Sequence, residues 1–219
     1  HQTLAQLPTV VQCMEIIDFP DLHYRALMLD IVRNYYPVDS IRRVLDVMAQ
    51  YKLNVLHLHL SDDEAWRLEI PGLPQLTDIG SKRGYTTDES ECLLPMYCGG
   101  WDANANTTAN GYITREEYID LLKYAKERHI RIIPEIDMPG HMRAAKKAMG
   151  NLLTDSLFDT RVYKSAQNYT DNVINVSLPY AIEFVDHVVT EIVKMHQEAG
   201  CHLKHFNIGG DEVPKGALT

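Results

Sequence analysis

The 219-residue sequence predicts an α/β fold built on a parallel sheet, either doubly wound or barrel-shaped. Two observations carry this. Short apolar runs alternate with segments of helical period, and each run ends in polar residues. A third observation narrows the class: no G-x-G-x-x-G follows the first run, so a dinucleotide fold loses its best signal. Nothing repeats at a solenoid period.

Residues 1–22 read as a lead-in segment that closes on the turn cluster Asp18-Phe19-Pro20-Asp21. Tyr24 to Ile31 (YRALMLDI) then reads as a buried strand. Pro37, Asp39 and Ser40 mark a helix start, with Ile41, Val44, Leu45 and Met48 at i, i+3, i+4 and i+7. Residues 53–60 (LNVLHLHL) form the second strand and run into Ser61-Asp62-Asp63-Glu64. The stretch 61–113 is rich in Gly, Pro, Asn and Thr; irregular segments of that length are uncommon inside a domain and usually functional.

Thr114 and Glu117 make a capping box for a helix carrying Tyr118, Leu121, Leu122 and Ala125. Residues 131–137 (RIIPEID) are the third strand. After a second irregular region, Pro179 opens a helix with Ile182, Val185, Val189, Ile192 and Val193 on one face, ending near Gly200. Residues 205–210 (HFNIGG) read as the fourth strand.

Composition excludes several classes. With 45% hydrophobic and 23% charged residues the chain is globular rather than disordered. No apolar run approaches the ~18–20 residues of a membrane helix. A net charge of −9 without a dense Lys/Arg run argues against nucleic-acid binding. The first residue is His1, which reads as a processed or excised piece.

None of the four cysteines, Cys13, Cys92, Cys98 and Cys201, forms a C-x-x-C pair. A small disulfide loop between Cys92 and Cys98 is the expected use, with buried free thiols as the alternative. Three N-x-S/T sequons, at Asn106, Asn168 and Asn175, point with the even cysteine count to a secretory route, to a secreted, lysosomal or extracellular glycoprotein.

The carboxyl ends of the predicted strands carry the chemistry. The first ends near Asp30, the second in His57, His59, Asp62 and Asp63. The third ends in Glu135, Asp137 and His141, and the fourth in Asp211-Glu212. Singly, His57 or His59 could be a satisfied core histidine and Asp137 a turn cap. Together, on the edge where parallel α/β folds build their sites, they predict an active site.

Asp211-Glu212 is the sharpest element. Neighbouring strand residues point to opposite faces, so both carboxylates reach one ligand only where the strand bends, and Gly209-Gly210 permits that bend. Two close carboxylates disfavour double ionisation, so one keeps a proton to donate to a leaving-group oxygen. A capping pair for the next helix is the alternative.

At these residues the chain resembles glycoside hydrolase family 20, the β-N-acetylhexosaminidases, and within it the chitobiase-like branch. The matching stretches are 24–37, 51–83, IPEIDMPGH at 133–141 and GGDE at 209–212, with CLLP at 92–95 also like that branch. The resemblance implies the (β/α)₈ barrel, with residues 23–219 as its N-terminal half and first four βα units. It implies an exo-hydrolase that removes terminal β-linked N-acetylglucosamine or N-acetylgalactosamine from chitobiose, chito-oligosaccharides or glycoconjugates, without metal or cofactor.

By the same resemblance Glu212 is the general acid and then base, and the substrate's own 2-acetamido oxygen is the nucleophile. Asp211 would orient the acetamido group. Arg25 would hydrogen-bond the terminal sugar's hydroxyls, and Asp137 and His141, with Asp62 and Asp63 nearby, would support Glu212. One departure is Asn207, where the family commonly has His two residues before its Gly-Gly. The other is length: four strands precede Thr219, and both tryptophans, Trp66 and Trp101, lie in the first half. The expectation is therefore the front half of a longer hydrolase.

Two other readings compete. Asn207 and the early end favour a truncated, non-catalytic protein that binds chitin-type glycans. His57-x-His59 at a strand end resembles the metal pair of an amidohydrolase, although that fold normally places the pair on its first strand.

Overall fold

A computed structural model describes residues 13–97, 99–153 and 160–218. Its centre is a three-stranded parallel sheet of β1 (Ala26–Asp30), β2 (Val55–His59) and β3 (Arg131–Glu135), in the spatial order β1-β2-β3. The register pairs Asp30 with His59 and His59 with Glu135, so all three strands end level on one edge. That alignment places the polar residues together.

The helices are α1 (Val38–Gln50), α2 (Gln75–Asp78), α3 (Arg115–Glu127), α4 (Arg143–Met149) and α5 (Pro179–Glu198). α1 buries Ile41, Leu45 and Met48 of the stripe its spacing predicts, with Val44 half-buried and Val38 added at the start of the helix. α3 opens on the expected capping box: Thr114 Oγ1 accepts from the Glu117 N–H at 3.2 Å, and the Thr114 N–H donates to Glu117 Oε2 at 2.9 Å. Its buried face is Tyr118, Ile119, Leu121, Leu122 and Ala125.

Four sequence expectations change. The run 24–31 is not a buried strand: Leu27 and Met28 are 39% and 48% exposed, and β1 is an edge of the sheet with β2 on one side and no strand among the described residues on the other. α5 buries Ala181, Phe184, Val188, Ile192 and Met195; of the predicted stripe Ile192 is buried, Val185, Val189 and Val193 are half-buried, and Ile182 is 60% exposed. Two overlapping apolar stripes run along this helix, and the choice falls to the one holding Phe184, which meets Trp66 edge-on at 6.1 Å. α4 was not foreseen; its RAAKKAM run has strong helix propensity but too few residues for a period.

The predicted fourth strand 205–210 makes a single bridge, Asn207 to Glu135. The Asn207 N–H donates to Pro134 O and its carbonyl accepts from the Ile136 N–H, so the segment lies beside β3 in the fourth position. Left-handed Gly209 and Gly210 (φ 61° and 86°) then turn the chain away from extended geometry.

The long irregular stretch is built around buried polar groups. Arg67 is fully buried, and its guanidinium donates to the carbonyls of Ile31, Val32, Ser81, Ala109 and Gly111. One side chain thus fixes the backbone after β1 against both limbs of the loop, satisfying carbonyls that burial would otherwise penalise. Glu89 pairs with Arg143 at the start of α4, whose N–H donates to Asp63 Oδ1, so the loop is tied to the rim of the polar edge. Cys92 is a buried free thiol, and its expected partner Cys98 lies outside the described residues. Among the described residues, no helix is long and apolar enough to cross a membrane.

Candidate active site

The carboxyl edge of the sheet holds a continuous chain of buried charged groups. At its centre is Asp62, in the turn directly after β2 and 1% exposed. His59 Nε2 and Arg33 Nη2 each lie 2.8 Å from Oδ2. The Asp63 N–H donates to Oδ1 at 2.6 Å, and His141 Nδ1 lies 3.0 Å from the same atom. Four donors fill the acceptor positions of one carboxylate. Burial works against ionising Asp62, but hydrogen bonds from His141 and His59 and the charge of Arg33 hold it well below the usual carboxylate range.

His141 extends this chain outward. Hydrogen bonds to Asp62 and Asp63 outweigh the cost of its burial and push it up to about 11. With Nδ1 committed inward, Nε2 faces the last segment, 3.4 Å from Glu212 Oε2 and 3.7 Å from Asp211 Oδ2. Those two carboxylates are solvent-facing, at 47% and 63% side-chain exposure, as a pair meeting a ligand from outside requires. Gln167 Nε2 donates to Glu212 Oε2 at 2.7 Å, so this oxygen is held by Gln167 and faces the His141 imidazole, whose Nε2 makes no hydrogen bond of its own.

The backbone at these positions is constrained. His141 (φ 52°) and Glu212 (φ 48°) sit in the left-handed region, which costs a non-glycine residue on the order of 1–3 kcal/mol and recurs at functional sites. Gly209 is obligatory: a Cβ there would stand 1.2 Å from Asp137 Oδ1. Asp137 itself is 2% exposed, and Oδ1 has no hydrogen-bond partner. Burial, with the neighbouring charges of Asp62, Asp211 and Glu135 outweighing the pull of His59, pushes it up to about 7.

The structure therefore brings together Asp62, Asp63, Asp137, His141, Asp211 and Glu212. It does not bring Arg25 to them. Arg25 precedes β1, at the opposite end of the strand, where its carbonyl accepts from the N–H groups of Asn54 and Val55. Its guanidinium donates to Lys52 O at 2.6 Å and Leu22 O at 2.5 Å. The arginine on the polar edge is Arg33, paired with Asp30, Asp62 and Glu64. Sequence reasoning missed it because Arg33 lies past the end of the apolar run, although the same rule that selected Asp30 selects it too.

Glu64 and Gln167 were also missed. Glu64 is buried, which with nearby Asp62 pushes it up to about 7 against the pull of Arg33. Asn207, the departure from the resembled pattern, has a local role: Oδ1 accepts from the Gly209 N–H at 3.0 Å and Nδ2 lies 3.1 Å from His57 Nε2.

Among the described residues three groups have the donor atoms for a metal ion: His59, Glu135 and Asp137; Asp62, Asp63 and His141; and His141, Asp211 and Glu212. The His57-x-His59 pair does not present two free nitrogens to one centre. His57 Nε2 is 2.9 Å from Glu135, and both nitrogens of His59 are hydrogen-bonded to carboxylates. A cavity of about 570 Å³ between Tyr85, Trp101 and Asn104 on the long loop contains none of the site residues.

Residues 22–219 match the catalytic domain of glycosyl hydrolase family 20. The chain is 43% identical over 218 residues to the N,N'-diacetylchitobiase of Vibrio harveyi, covering 91% of this chain and 24% of that protein. It is 40% identical over 232 residues to a β-hexosaminidase of Vibrio vulnificus, covering 97% and 27%. It superposes on the crystal structure of the Vibrio harveyi exo-β-N-acetylglucosaminidase with N-acetylglucosamine at a TM-score of 0.80 and 44% identity, over 92% of this chain and 29% of that one. For the Flavobacterium johnsoniae chitobiase the TM-score is 0.64 at 30% identity, over 89% and 24%. The chain thus spans about a quarter of the length of the curated relatives it matches.

Proposed function

This chain belongs to glycosyl hydrolase family 20, and we propose that the protein hydrolyses terminal, non-reducing β-linked N-acetylhexosamine residues with retention of configuration. The observation that carries the reading is the pair Asp211-Glu212 facing solvent against a buried imidazole, His141, which is itself anchored on Asp62. Glu212 is the general acid. Oε1 presents the proton to the glycosidic oxygen while Gln167 holds Oε2 beside the His141 imidazole.

The substrate's 2-acetamido oxygen attacks the anomeric carbon as the leaving alcohol departs, giving an oxazolinium intermediate. Asp211 accepts a hydrogen bond from the acetamido N–H and offsets the positive charge that develops there. Water, deprotonated by Glu212 in the second step, opens the intermediate. Asp137, His141, Asp62 and Asp63 act behind the pair. Chitobiose and chito-oligosaccharides are the substrate class that the names of the Vibrio harveyi and Flavobacterium johnsoniae relatives favour.

The sheet is read as the opening of a (β/α)₈ barrel, with residues 23–219 as its N-terminal half. Its support is the order β1-β2-β3 followed by the 205–210 segment beside β3, without the reversal that a doubly wound sheet shows at its switch point. A secretory location is read from the three sequons, of which Asn106 and Asn168 are exposed and Asn175 is half-buried.

Release of 4-nitrophenol from its N-acetyl-β-glucosaminide by the full-length protein tests the reading. Turnover that Glu212→Gln abolishes and Asp211→Asn severely reduces is expected. No turnover by the wild type, or turnover indifferent to Glu212→Gln, would overturn it.

A further inference from the structure

His59 is a buried histidine of the polar edge, 3% exposed and in register with Glu135 on β3. Nδ1 lies 2.8 Å from Glu135 Oε2, and Nε2 lies 2.8 Å from Asp62 Oδ2. The charged groups facing it are Glu135 and Asp137 from β3 and the residues just after it, Asp62 from the turn after β2, and Arg33, whose Nη1 is 3.3 Å from Nε2. His57 shares Glu135 Oε2 at 2.9 Å. Neither nitrogen of His59 is directed at the Asp211-Glu212 pair, so the mechanism above gives it no role.

We propose that His59 is a positioning residue of the hydrolysis: a buried imidazolium, clamped between Glu135 and Asp62, that fixes the Asp62 carboxylate so that it can hold His141 against Glu212. The proposal rests on the hydrolase reading. Both ring nitrogens lie 2.8 Å from carboxylate oxygens, closer than Arg33 Nη1 comes to Nε2, and an imidazolium with a proton on each nitrogen satisfies both contacts. Burial opposes that charge, but the hydrogen bonds to Asp62 and Glu135 push His59 up to about 10.

The geometry makes this a chain rather than a cluster. Asp62 spends Oδ2 on His59 and Arg33, leaving Oδ1 for His141 and the Asp63 N–H. A neutral His59 would set a ring lone pair against one of the two carboxylates. Asp62 could then rotate or take up a proton, and either change loosens the acceptor that orients His141. Partners behind a direct ligand commonly matter by 10–100-fold where this logic has been tested at metal sites.

The test is a double-mutant cycle on the full-length protein, using a fluorogenic N-acetyl-β-glucosaminide to reach low rates. His59→Gln is expected to lower kcat by about 10–100-fold with KM changed less than about threefold. The alkaline limb of the kcat/KM–pH profile should move upward by about half a pH unit or more, because a positive charge has left the chain behind the acid. In an Asp62→Asn background the same substitution should cost less than about threefold, since the residue through which it acts is already neutral.

Equal losses in both backgrounds, or an unmoved alkaline limb, overturn the proposal and leave His59 as a packing residue. Should His59→Gln not fold, Glu135→Gln enters the same cycle. It removes the charge that keeps His59 protonated, and is expected to lower kcat by about tenfold in the wild type and little beside Asp62→Asn; equal losses again overturn the idea. A wild type without turnover removes the reaction His59 would serve, and is seen before any variant is assayed.

Discussion

His141 Nδ1 and Asp62 Oδ1 lie 3.0 Å apart between two side chains that are almost wholly buried, and this contact decides what His141 can do. Nδ1 is committed to Asp62 and Asp63, so only Nε2 is left to meet the Asp211-Glu212 pair. Replacing His141 by Ala should therefore lower kcat by about 10²–10³-fold while KM changes little, the span expected when proton transfer loses its orienting partner. Steady-state kinetics on the full-length protein measure this, and a variant retaining more than a tenth of wild-type kcat would count against the relay.

Arg25 and Arg33 occupy opposite ends of β1, and their substitutions should separate cleanly. Arg25→Met removes hydrogen bonds to the Lys52 and Leu22 carbonyls only, so KM and kcat should stay within about twofold. Arg33→Met strips the cation from Asp30, Asp62 and Glu64 together, and kcat/KM should fall at least 100-fold. A rise in KM for Arg25→Met would restore the sugar-binding role that sequence resemblance assigned to it.

Asp137 makes the protein's stability fall with rising pH. Its folded-state value is raised to about 7 from an ordinary 3.8, so between those values the folded state binds more proton than the unfolded one. The contribution is fully present below the unfolded value and is lost as pH rises through about 7. Asn at this position is neutral throughout. Urea unfolding should thus show the stability of Asp137→Asn, relative to wild type, growing by roughly 2–4 kcal/mol from pH 4 to pH 8. A difference independent of pH would contradict this.

Gly209 combines φ 61° with a Cβ position 1.2 Å from Asp137 Oδ1. Gly209→Ala should cost at least about 2 kcal/mol of stability and, by displacing the turn that carries Asp211 and Glu212, most of the activity. Adding Asp137→Ala removes the steric part but not the backbone part. The double variant should therefore recover stability partly, and full recovery would show that the backbone conformation carries no cost.

Much of the fold and of the candidate site was legible in the chain. The stripe of α1, the capping box of α3 and the cores of β2 and β3 follow from spacing alone, because each depends on near neighbours in sequence. The acids and imidazoles at strand ends were legible for the same reason: a parallel strand puts its last residues on one edge whatever surrounds it. The short α4, the single-bridge fourth segment and the exposed face of β1 were not, since each depends on which element lies alongside.

The sequence by itself determined the alternating α/β order, the family resemblance and the residues Asp62, Asp137, His141, Asp211 and Glu212, because residue type and local period are properties of the chain. Tertiary structure alone decided that Arg33 rather than Arg25 stands at the polar edge, and that Asp62 is saturated by four donors. It also decided that His59 is locked between two carboxylates, and that α5 buries Phe184 rather than Ile182. The physical reason is common to all four. Hydrogen-bond partners, local electrostatics and the buried side of a doubly apolar helix are all set by groups distant in sequence, which only the folded arrangement of strands, loops and helices brings into contact.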